Sequence, residues 1–229
     1  MRLLLNAFLA AALIFSPDVR PQEYLSPHNS TLGMAGQYSE KLKTVFKDAY
    51  TSDSTIQVLI RSSLPERVIY IKDTAQGHKL SISTASARVY DFDIKDNWQE
   101  IEQARGVKFQ RLDALQSLGS VQDIKLSTKS RNISPELYAK IRTLWQQELM
   151  SVRRNTGGKP NLTLDGATYD YSMRLSRMVF ISGTAADGAS QRLDRLASIA
   201  YDLGSFVDGK KSEAEILEEI SIFNKIPAT

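Results

Sequence analysis

Ile56-Gln57-Val58-Leu59-Ile60-Arg61-Ser62-Ser63-Leu64-Pro65-Glu66-Arg67-Val68-Ile69-Tyr70-Ile71 is the stretch that decides the fold class. Ile56, Val58 and Ile60 fall at every second position with Gln57 and Arg61 alternating against them, the spacing of a strand. Ser62-Ser63-Leu64-Pro65-Glu66 is a short connection holding a turn-forming proline, and Val68-Ile69-Tyr70-Ile71 is a second β run. Gln76-Gly77 makes another turn, beyond which Leu80 and Ile82 alternate with serines in a third run that ends near Val89-Tyr90. Strands joined by such short connections pair antiparallel, so the expectation is a meander with one face buried and one wet.

Working outward, helical spacing brackets this meander. Tyr38, Leu42, Val45, Phe46 and Ala49 predict an amphipathic helix over residues 37–50, with Lys41, Lys43 and Lys47 as its solvated charges. Downstream, Trp98, Ile101 and Ala104 allow a helical turn, Val107-Lys108-Phe109 reads as a strand, and Ile124 and Leu126 precede a turn region at residues 128–132. Ser134-Pro135-Glu136 is a helix start: a capping hydroxyl, a proline in the first turn and an acid beside the positive end of the helix. Leu137, Ile141, Leu144, Trp145 and Leu149 or Met150 line its apolar stripe. After Gly157-Gly158-Lys159-Pro160, β character returns at Leu162 and Leu164, Asp165-Gly166 is a turn pair, and Thr168-Tyr169-Asp170-Tyr171 is the strand leaving it. Met178-Val179-Phe180-Ile181 reads as a short, fully apolar strand. Leu193, Leu196, Ala197, Ala200 and Leu203 mark a helix ending near residues 206–209, and Ser212 with Glu215 opens a last one through a capping box. The fold expected is a single α+β domain over residues 37–229, an antiparallel sheet packed by several helices, two of them C-terminal.

The N-terminus carries an address. Met1-Arg2 followed by a run from Leu3 to Phe15, apolar apart from Asn6, has the shape of a secretory signal and is too short to span a membrane. Residues 1–20 are therefore expected to be a signal peptide, although Pro17 blocks cleavage after Ser16 and no clean small-residue site follows. Residues 21–36, with Pro21, Pro27, Gly33 and Gly36, read as a linker or ordered arm. Export to a bacterial periplasm is the expectation, and the absence of any cysteine excludes disulfides, thiolate metal sites and a lipidated leader end. A net charge of +3 on 229 residues does not call for a polyanionic partner, so no nucleic acid is expected.

Chemistry-bearing motifs are sparse. His28 lies in the arm, which leaves His78 as the one histidine of the domain, and there is no G-x-S-x-G or S-x-x-K anywhere. Asp91, Asp93 and Glu102 fit three positions of a calcium loop, but Lys95 stands where an oxygen ligand belongs and Asp96 where glycine should. Gly157-Gly158-Lys159-Pro160 lacks the spacing of a phosphate loop, and Arg153-Arg154 and Lys210-Lys211 are isolated basic pairs. No catalytic residue, cofactor or metal is expected. The alternative is a carboxylate-dependent wall hydrolase with Asp165 and Asp170 as first choices, or a module binding a small ligand or cell wall.

Val58-Leu59-Ile60 with Ser63-Leu64-Pro65-Glu66, then Asn132-Ile133-Ser134-Pro135-Glu136-Leu137 with Leu144-Trp145, then Leu164-Asp165-Gly166-Ala167-Thr168-Tyr169 occur in that order. In this the chain resembles a loose group of bacterial signal-peptide-bearing proteins, some of which resemble immunity proteins to secreted toxins. The resemblance covers roughly residues 55–210, and the chain departs from the pattern after Tyr171, where Met173 to Ile181 stand in place of a tryptophan-containing segment. It implies a periplasmic protein that binds and neutralises a toxin or hydrolase. Contact groups are then expected in the loops at residues 73–78 and 165–171: Asp73, His78, Asp165, Tyr169, Asp170 and Tyr171.

Overall fold

The computed structural model describes residues 25–26, 35–105, 112–153, 166–176 and 179–227. The central meander forms as the alternation requires: β1 (Ser54–Arg61), β2 (Arg67–Thr74) and β3 (Gly77–Ala85) pair antiparallel in sequence order. Three more strands, β4 (Leu126–Ile133), β5 (Thr168–Arg174) and β6 (Phe180–Ala186), extend the sheet on its two sides. The order is β4-β3-β2-β1-β5-β6, every neighbouring pair antiparallel, so the fold class is α+β as expected.

Ile56, Val58, Ile60, Ile69, Ile71, Leu80, Tyr169, Tyr171 and Met173 share one face of the sheet. Against it pack α4 (Pro135–Met150) and α5 (Gln191–Val207), with α6 (Glu213–Phe223) lying on both helices. Each helix starts where its sequence says. The hydroxyls of Ser134, Ser190 and Ser212 accept hydrogen bonds from the amides of Leu137, Leu193 and Glu215, satisfying first-turn donors that would otherwise be orphaned.

The other face is not simply wet. Leu59, Val68, Tyr70 and Ala85 bury against α1 (Ala35–Val45), a 3-10 turn (Lys47–Tyr50) and the start of α2 (Val89–Arg105), forming a second, smaller core with Leu42, Val45, Phe46 and Val89. A short α3 (Leu112–Gln116) follows α2. The expected one-sided meander is thus covered on both faces over β1 and β2, because Leu59, Val68 and Tyr70 supply a second apolar row between the first.

Three expectations change. Val89-Tyr90 begins α2 instead of ending a strand: the carboxylate of Glu66 accepts from the amides of Val89 (2.7 Å) and Tyr90 (3.0 Å), a helix cap supplied from a distant turn. Residues 128–132 are strand β4 and not a turn; the strand is exposed on both faces along its middle, so it has no hydrophobic alternation to read. Of the apolar segment at Met178 to Ile181, Met178 lies outside the described residues, and β6 begins at Phe180, which is 54 % exposed, so that end of the strand is not the buried one expected. Val107-Lys108-Phe109, Leu162, Leu164 and the glycine-rich stretch at residues 157–160 lie outside the described residues, as do residues 1–20.

Leu25 and Ser26 belong to the fold. Ser26 exchanges two backbone hydrogen bonds with Thr184 on β6 (2.9 and 2.8 Å), Arg153 donates its amide to the carbonyl of Leu25 (3.1 Å), and the Leu25 side chain is fully buried in the larger core. Gly183 makes room for this: a Cβ there would stand 2.8 Å from Val152 and 2.9 Å from Leu25. Leu25→Ala should therefore lower stability by about 2–5 kcal/mol in urea denaturation, the cost of a core cavity. An unchanged midpoint would mean that this segment lies outside the cooperative unit.

Candidate interaction surface

The expected contact groups separate into a hairpin pair, Asp73 exposed and His78 half-buried, and a buried set. Asp73 and His78 face each other across the β2–β3 hairpin, Oδ1 to Nδ1 2.9 Å, where Gly77 at φ +114° allows the turn. The His78 ring stacks on Tyr138 of α4 with centroids 3.5 Å apart. Arg142 donates to the Tyr138 hydroxyl at 3.2 Å. The Asp73 side chain is 52 % exposed and that of His78 only 25 %.

Tyr169, Asp170 and Tyr171 are not loop groups. They lie within β5, and strand alternation sends the two tyrosines into the larger core. Tyr171 meets Trp145 edge to face, and burial pushes its phenol well above the usual range. Tyr169 donates to Asp187 Oδ1 at 2.7 Å; burial raises its phenol too, helped by hydrogen bonds with Tyr201 and Asp187. Asp170 points to the opposite face and is buried as well. The three are corrected from contact groups to framework, and Asp165 lies outside the described residues.

Asp170 anchors a polar network beside the smaller core. Arg61 donates to both its oxygens, Nε to Oδ2 at 2.7 Å and Nη2 to Oδ1 at 2.9 Å, and Thr184 adds a hydroxyl at 2.9 Å. This is the planar fork geometry that favours arginine over lysine. Burial, reinforced by the charge of Asp170, pushes the Tyr50 phenol up to about 12. Nearby, the Tyr38 hydroxyl donates to Glu66 at 2.9 Å; burial and the Glu66 charge hold that phenol far above its usual range, so it stays a donor. These carboxylates are satisfied by donors from neighbouring elements, an arrangement that ties those elements together.

Among the described residues no three His, Asp or Glu side chains gather to hold a metal ion. Asp91, Asp93 and Glu102 lie along one helix, α2, not in a loop; Asp93 is fully buried 3.1 Å from Lys41, and Asp91 pairs with Arg88 at 3.3 Å. A groove of about 450 Å³ runs between α4 and the C-terminal segment, lined by Lys140, Gln147, Arg192 and Asn224. Its Arg192 is already committed to Glu148, to the carbonyl of Ile226 and to the face of Phe223.

One edge of the sheet is exposed along β4. Eight residues pair with β3 in unbroken register from His78↔Ile133 to Ala85↔Leu126, and no strand among those described pairs with the far side of β4. On the face of the larger core, Lys129 meets Asp208 at 2.6 Å and holds that carboxyl below its ordinary range, while Arg131 lies over the Phe206 ring and donates to its carbonyl at 3.0 Å. On the other face, Ser130 and Thr128 share hydroxyl hydrogen bonds with Ser81 (2.9 Å) and Ser83 (2.7 Å). The signal available in the sequence was Lys129 and Arg131 two residues apart, the period of a strand.

No family model, curated protein or solved structure matches the chain. Among the described residues, no helix is long and apolar enough to cross a membrane.

Asp170→Ala strands a largely buried guanidinium and should cost stability near the lower end of about 3–5 kcal/mol, whereas Arg61→Met combined with Asp170→Leu should recover most of it. Equal losses in the single and double variants, measured by chemical denaturation, would contradict this account of the pair. Tyr38→Phe should cost about 1.5–3 kcal/mol through the hydrogen bond it removes from the Glu66 carboxylate. An unchanged denaturation midpoint would show that bond to be dispensable.

Proposed function

We propose that this chain is an exported protein of the bacterial envelope that binds a partner protein, a secreted toxin or hydrolase, and neutralises it. The observation that carries the reading is the β4 edge: a long, regular strand, exposed from Ser127 to Asn132, whose outer side is paired by no described strand. Exposed edges are templates for another chain, and proteins commonly blunt them with bulges, prolines, very short strands or charged side chains. β4 has no bulge or proline and is eight residues long; its one such device is the pair of cations Lys129 and Arg131, which would still admit a strand of opposite charge. The ordered motifs around residues 63–66, 132–137 and 164–169, with their resemblance to immunity-like proteins, support the same reading, and the leader-like N-terminus supports a periplasmic address.

Binding by the described surface needs no cofactor. Its working parts are a rigid sheet, an exposed edge and the accessible Asp73–His78 corner, which lies at the Ile133 end of β4 through the His78↔Ile133 pair. A preformed strand of this kind binds without a backbone-ordering cost on its own side.

The test is affinity capture with the mature chain on secreted and periplasmic extracts of bacteria, followed by an activity assay on whatever is retained through high salt. A toxin or hydrolase that loses its activity in the complex is the expected result. Retention of a fully active protein, or of wall fragments or a small molecule alone, overturns the reading.

A further inference from the structure

We infer that the β4 edge takes an extended acidic segment of the partner protein, which adds to the sheet as a further strand; this rests on the partner-binding reading above. The two edges of the sheet are unequal. At the β6 edge Ser26 already occupies Thr184 through two backbone hydrogen bonds, and buried Leu25 holds it there. At the β4 edge, among the described residues, nothing pairs.

Symmetry and charge select the occupant. Two copies of this chain joining through β4 as antiparallel neighbours would be related by an axis perpendicular to the sheet. Residues directly opposite then lie on the same face, so an odd-numbered residue meets an odd-numbered one. With the axis at Lys129, that lysine meets its own copy; at Ser130, Lys129 meets Arg131; at Arg131, the arginine meets its own copy. Every central register thus sets cation against cation, which is destabilising. The same two side chains welcome a foreign strand with carboxylates two positions apart, one opposite each. Lys129 remains 62 % exposed despite its contact with Asp208, so its ammonium can accept a second carboxylate. Thr128, Ser130 and Asn132 on the other face fit small polar side chains. Backbone hydrogen bonds would supply affinity, and the alternating charges would set register.

The experiment uses a capped, fluorescently labelled eight-residue peptide of alternating threonine and glutamate. Two controls accompany it: the same peptide with alternate backbone nitrogens methylated, and one with lysine for glutamate. By anisotropy the glutamate peptide should bind the intact protein at least tenfold more tightly than either control, and it should slow amide exchange at residues 126–133. Lys129→Glu with Arg131→Glu should reverse the preference towards the lysine peptide. Because Arg131 also packs on Phe206, Lys129→Gln alone serves as a milder variant and should weaken the glutamate peptide severalfold. Equal binding of the methylated peptide, protection centred elsewhere, or no binding at all overturns the proposal. If a captured partner is neutralised but held equally well by the charge-reversed variant, the edge proposal falls and the neutralising function stands. If the peptide docks as described while no partner is neutralised, the reverse holds.

Discussion

Everything in this molecule is arranged around the double burial of β1 and β2. Ile56, Val58 and Ile60 face one core, while Leu59 faces another, and β2 repeats the division with Ile69 and Ile71 against Val68 and Tyr70. A sheet with two apolar faces must be covered twice, at about 25 cal/mol for each Å² of apolar surface withdrawn from water. The larger layer, α4 to α6, carries its own stripes of leucine, isoleucine and phenylalanine. The smaller layer has less to bury and relies on a polar clasp. Glu66 is only 2 % exposed, yet its carboxylate caps α2 and receives the Tyr38 hydroxyl from α1, binding the two helices of that layer to the β1–β2 turn. Such a buried charge is tolerable because three donors replace its lost water.

How much of this could be read from the chain depended on whether the signal was local. The Ser134, Ser190 and Ser212 caps sit within three residues of the amides they satisfy, and the helices they open stand where periodicity puts them. The start of α2 could not be read this way, since its cap comes from Glu66, more than twenty residues upstream in the chain. β4 was hidden for a different reason. Pattern reading detects a buried face, and the middle of β4 has none; it is held by the ladder to β3 and by paired hydroxyls.

The interaction surface shows the same division. Asp73 and His78 flank the hairpin turn that Gln76-Gly77 predicts, which leaves Asp73 exposed and His78 partly covered by Tyr138. Tyr169 and Tyr171 stand in the strand predicted after the Asp165-Gly166 pair, but not as contact groups: their two-residue spacing with Met173 is the mark of one strand face turned inward. Asp170, between them, is the polar half of that alternation and finds Arg61 on the neighbouring strand. Tyr169, Asp170 and Tyr171 are thus consumed by the fold, while the exposed β4 strand is built of serine, threonine, lysine, arginine and asparagine.

The seating of Leu25 and Ser26 has a consequence for timing. These earliest described residues of the chain take their backbone partners, Thr184 and Arg153, from far downstream. Contacts separated by so much sequence form late, since the intervening chain must be made and largely ordered first. A ribosome would therefore release nearly the whole polypeptide before this seam could close. Until then the chain has an open flank, and it can be kept unfolded more readily than one whose halves fold independently.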